Sequence, residues 1–87
     1  MRADIVWRHQ ARSDLIQVLD DIAEHSPAAA LSYVEEIEKR INTLADHPEK
    51  APAYNDLYRM MAVRNHCVFY RFEKQRNAVV ILSLIHI

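Results

Sequence analysis

A chain of 87 residues, 51% hydrophobic and 26% charged, has material for one modest core, so a single domain over 1–87 is expected and disorder is not. Its 11 basic and 12 acidic side chains leave a net charge of −1, which argues against non-specific grip on polyphosphate and against direct sequence-specific nucleic-acid binding. The lone Cys67 cannot close an internal disulfide, and the absence of glycine removes the P-loop and the dinucleotide fingerprint.

MRADIVWRHQ has no apolar stretch of signal-peptide length. The longest apolar run, 78–82, falls far short of the ~20 residues of a membrane helix. These features suit a soluble protein of the cytoplasm.

Residues 3–8, ADIVWR, read as a short strand. From Gln10 to Glu24 the residues Ala11, Leu15, Val18, Leu19, Ile22 and Ala23 recur at helical spacing, with polar residues between them. "HSPAAA" breaks this helix and opens the next. Ser26 is a good N-cap, and Pro27 suits the first helical position, where its missing N–H has no partner to lose. Leu31, Val34, Ile37, Ile41, Leu44 and Ala45 form the second stripe, and Pro48 ends the helix near Asp46. So short a connection makes the two helices an antiparallel hairpin.

After a loop over 48–56, three strand-like runs follow at 57–63, 66–72 and 78–85. Breaks at Arg64-Asn65 and Glu73–Asn77 are short enough for hairpins, and Asn65 and Asn77 are the residues expected to take positive φ. The fold class is therefore α+β, in the order β-α-α-β-β-β. It is an antiparallel sheet with a helical hairpin packed on one face.

Two helices cover one side of such a sheet. Strict alternation sets Leu57, Arg59, Met61 and Val63 against Tyr58, Met60 and Ala62, and Cys67, Phe69 and Arg71 against His66, Val68, Tyr70 and Phe72. The last strand is apolar on both faces. An uncovered face that is partly apolar and carries arginines suits contact with another chain, whether a hetero-partner or a second copy; the alternative is cover from within the chain by the loop 48–56. The candidate partner-binding residues are Arg59, Met61, Cys67, Phe69, Arg71 and His86. Asp14 is a candidate partner for the strand arginines.

The histidines at 9, 25, 47, 66 and 86 show no metal-ligand spacing, and Cys67 has no nearby base. No catalytic residue, metal or cofactor is expected.

Several short pieces, in order, carry a resemblance. They are Trp7 with Ala11, Asp14 and Leu15, then Pro27 with Ala29 and Ala30, then Leu44 with His47 and Pro48, then Arg59, then Tyr70, and the closing VVILSLIH ending at His86. Across the whole chain this pattern resembles the RelE/ParE superfamily of type II toxin–antitoxin toxins, and ParE-like members most. The resemblance implies a toxin that inhibits DNA gyrase by protein binding, is not an enzyme, and is neutralised by a ParD-like antitoxin. The alternative within the superfamily is a RelE-like, metal-independent, ribosome-dependent mRNA endonuclease. That chemistry needs basic residues on the central strands, where this chain carries Met60, Ala62 and Cys67. Lys50-Ala51 stands near where relatives often carry a Gly-Arg pair, a departure from the family pattern. An inactive homologue that only binds is a further alternative.

Overall fold

The structure is a computed structural model that describes residues 2–86. Strand β1 (Asp4–Trp7) leads into helix α1 (His9–His25) and helix α2 (Pro27–Asp46). Strands β2 (Arg59–Val63), β3 (His66–Glu73) and β4 (Ala78–His86) follow. The sheet order is β1-β4-β3-β2, which puts the most apolar strand, β4, inside the sheet.

The element order and the one-sided helical hairpin are as the sequence implied. The strand directions differ in one respect. β2, β3 and β4 form the expected antiparallel meander, but β1 pairs parallel to β4, so the sheet is mixed. The helices dictate this. α1 carries the chain onward past the far end of the sheet, and α2 brings it back until the Ala45 carbonyl accepts from the Ala3 N–H at 2.8 Å, where β1 begins. β2 therefore starts at the same end as β1, and β4, two hairpins later, runs the same way.

Ser26 caps α2 as its residue type predicts, its hydroxyl accepting from the Ala29 N–H at 3.1 Å, with Pro27 in the first turn. The buried stripe of α2 is Tyr33, Ile37, Ile41, Leu44 and Ala45. Leu31, expected in that stripe, is exposed because the covered face of α2 begins at Tyr33. These side chains meet Ala11 from α1 and Met61, Val63, Val68, Tyr70, Val79, Ile81 and Leu84 from the sheet.

Two local features depart from simple alternation. In β4 the partner of Phe69 is Ser83 and the partner of Tyr70 is Ile81, so Leu82 is an extra residue in the ladder. This bulge resets the period of two, and Leu84 turns inward beside Ile81 and Val79. In the β2–β3 turn the positive φ falls on Arg64 (52°), not on Asn65, whereas Asn77 (50°) is as expected. A side chain at Arg64 is costly in that conformation, by about 1–2 kcal/mol. It is held there by Glu36 at 2.7 Å and by the Tyr33 ring, whose centroid lies 5.3 Å from the guanidinium carbon.

Candidate functional site

The face of the sheet away from the helices has two unlike ends. Near the start of β4 it is ionic. Arg71 pairs with Glu73 at 2.8 Å, and both line a shallow depression with Asp4, Arg8 and Arg76. Val80, directly across from Arg71, is buried on this outer face beneath those long side chains.

The other end is aromatic. Asn55 builds it, its side-chain oxygen accepting from the Leu57 N–H at 2.8 Å and the Tyr58 N–H at 3.0 Å. That Asx turn, closed by Tyr54 N–H donating to the Tyr58 carbonyl at 3.0 Å, folds the loop back on itself. Tyr54 and Tyr58 then stack nearly parallel (8°) with centroids 5.6 Å apart, and both meet Phe69 edge-on, at 5.2 and 5.5 Å. Leu82, Ser83 and Ile85 complete the hollow beside these rings. Tyr54 is 59% exposed, Leu57 74% and Ile85 52%. Large apolar side chains this open are of the kind that contact with another chain would bury.

The six residues singled out from the sequence do not form one surface. Cys67, Phe69 and Arg71 share the outer face with Met60 and Ala62. Arg59 and Met61 lie on the helix side. Met61 is only 4% exposed and belongs to the core. Arg59 donates to the Ala51 carbonyl at 2.7 Å and the Glu49 carbonyl at 3.2 Å and pairs with the Glu49 carboxylate at 3.3 Å, tying β2 to the loop after α2. Asp14 pairs with neither strand arginine, because its carboxylate accepts from the Leu84 N–H just past the bulge, at 3.0 Å, and from Gln10. Tyr70 is fully buried and donates to the Pro48 carbonyl at 3.0 Å, so burial pushes its phenol pKa up.

His86 lies at the opposite end of the molecule from the ionic pairs. There α1, α2, the β2–β3 turn and the end of β4 enclose a cleft of about 640 Å³. His66 and His86 are directly paired across β3 and β4, with ring centroids 5.1 Å apart. Tyr33 reaches from α2 to share a 2.6 Å hydrogen bond with His66 Nδ1 and also donates to the Val63 carbonyl at 3.4 Å. His66 is 8% exposed, and burial first, then the neighbouring His86, lowers its pKa from the ordinary value of 6.5. Burial raises the Tyr33 pKa, against the influence of Arg64.

Sequence reasoning missed Tyr54, Tyr58 and Ile85 on the open face and Tyr33 in the cleft. Asn55 was the available signal for the tyrosines, since an Asx turn brings the residue before it over the residue three after it. Among the described residues, no group of three or more His, Cys, Asp or Glu side chains converges as a metal site.

Residues 5–86 match the family model described as the ParE toxin of the type II toxin–antitoxin system parDE. The chain belongs to the ParE toxin family. Solved structures agree with this on the fold. A protein of the chromosomal ParDE system from P. aeruginosa superposes with a TM-score of 0.81 at 17% identity, covering 99% of this chain and 97% of that one. A chain of the RelBE2 toxin–antitoxin complex of Mycobacterium tuberculosis gives 0.67 at 19% identity, with 100% of each chain covered. A mutant of the E. coli toxin RelE in the free state gives 0.61 at 10% identity, covering 99% of this chain and 84% of that one. No curated protein matches the sequence. No helix of this ParE-family toxin, among the described residues, is long and apolar enough to cross a membrane.

Proposed function

We propose that this toxin acts in the cytoplasm by binding a protein target, DNA gyrase, without catalysing a reaction, and that a ParD-like antitoxin silences it. The observation that supports this reading is the Tyr54–Tyr58–Phe69 cluster on the open face, beside Leu82 and Ile85. Exposed aromatics held rigid by their own packing lose little entropy on binding, which is what an anchor in a protein interface requires. Of the two strand arginines, Arg71 on this face is engaged by Glu73 and Arg59 on the other by Glu49 and two carbonyls, so neither stands free to meet a phosphodiester.

A supercoiling assay with purified toxin tests the reading. Inhibition at micromolar excess, relieved by the cognate antitoxin and lost in Tyr58→Ala/Phe69→Ala, is the expected result. Unimpaired gyrase at that excess would refute the choice of target.

One observation favours ribosome-dependent mRNA cleavage as a second reading. Tyr33, Arg64, His66 and His86 meet at one cleft, and between them they hold the acid, base and cation that phosphodiester cleavage uses. Arg64 is committed to Glu36 and His66 is nearly sealed, which leaves this reading the weaker. Primer extension on translated mRNA separates the two. Cuts that vanish in Arg64→Ala and His86→Ala would establish cleavage.

A further inference from the structure

The tip of the β2–β3 hairpin is held to α2 by a polar cluster. Tyr33 joins Val63 and His66, Arg64 bonds Glu36 and lies over the Tyr33 ring, Ser32 accepts from Arg64 at 3.4 Å, and Arg40 donates to the Ala62 carbonyl at 3.0 Å. The strained φ of Arg64 adds a cost that these contacts must offset. The charged and titratable groups facing His66 come from every element around it. They are Asp14 and Asp21 from α1, Tyr33 and Glu36 from α2, Arg64 from the turn and His86 from β4. Of these types, only histidine ordinarily changes charge between pH 5 and 8.

We propose that Tyr33, His66 and His86 form a proton-sensitive latch, which fastens the hairpin tip and the end of β4 to α2 when His66 is neutral and loosens when it is protonated. A charge on His66 would be buried beside Tyr33 and would face a second imidazole across the strand pair, with the Arg64 guanidinium close by. The two α1 carboxylates stand across the cleft, and Glu36 is already engaged by Arg64.

The direction of the pH effect follows from linkage. His66 binds protons less readily in the fold than in the unfolded chain, so the latch is fully fastened above the ordinary histidine pKa of 6.5. As pH falls below that value, the opened state takes up a proton that the closed state refuses. Opening then becomes more favourable by up to about tenfold per pH unit. The effect levels off once pH passes the lowered titration point of His66 itself.

The test is NMR on the intact chain between pH 8 and 5, following the imidazole resonances of both histidines and amide exchange corrected for the intrinsic rate. His66 should titrate below 6.5. Protection at 64–67 and 84–86 should fall about tenfold for each pH unit in the sensitive range, while 79–81, in the middle of the sheet, keep theirs. His86→Gln, a change at an exposed position, should move the His66 midpoint upward, so that the loosening levels off at a higher pH and its total extent is smaller than in wild type. Tyr33→Phe should weaken protection at the tip at every pH. A His66 midpoint at or above 6.5, or protection at the tip that does not change with pH, overturns the latch.

Discussion

The two faces of the sheet are made by the same strands and both carry apolar side chains, yet they use that character differently. Under the helices, Val68, Tyr70, Val79 and Ile81 are sealed, and the one strand arginine on that side, Arg59, spends its guanidinium on loop carbonyls and Glu49. On the open side, Phe69 and Ile85 stay accessible, and Arg71 is held by the neighbouring Glu73. Burial makes the first set a source of stability. On the function proposed above, exposure gives the second to recognition, since apolar area left in water in the free toxin is available for burial against a partner.

Ile81 and Ile85 put this contrast in a single strand. Ile81→Ala should destabilise the fold by about 2–5 kcal/mol in urea denaturation, because a fully buried side chain leaves a cavity. Phe69→Ala should weaken antitoxin binding by about 2 kcal/mol, roughly 30-fold in Kd by calorimetry, while costing far less in stability than Ile81→Ala. If binding holds and stability collapses instead, the open face is core under another name. Ser26→Ala probes the helical cover itself and should cost about 1 kcal/mol, seen as a lower unfolding midpoint. The smallest effect belongs to Ile85→Ser, which should shift stability by no more than about 0.5 kcal/mol, as for other exposed positions. A larger loss would show that Ile85 is part of the monomer's packing.

Much of the fold was legible in the sequence because the helices announce themselves. Ser26-Pro27 marks the turn between them, and the 3.6-residue stripe from Ile37 to Leu44 marks the covered side. The parallel pairing of β1 was not legible, since it depends on where α2 delivers the chain. The candidate site was legible only in part. Phe69, Cys67 and Arg71 share a face by alternation, but Met61 and Arg59 fall on the other face because the two-residue turn pairs Val63 with His66, a register that alternation within each strand does not contain. Tyr54 and Tyr58 come from a loop, whose course rests on one asparagine side chain and leaves no periodic trace. His66 and His86 lie 20 positions apart and meet only through strand register.

The spare residue in β4 has a consequence for how this strand tolerates change in length. Leu82 works as a phase shift, so everything after it is written in the opposite parity to everything before. Were every residue of the strand paired one for one, inside and outside would be exchanged along its terminal half, sending Ser83 and Ile85 toward the helices and Leu84 into water; deleting Leu82 would instead leave a regular strand with each of them on its present face. The strand end and the mouth of the cleft can therefore survive the loss of that one residue, whereas an added one would have to be absorbed in a wider bulge or turn the strand over.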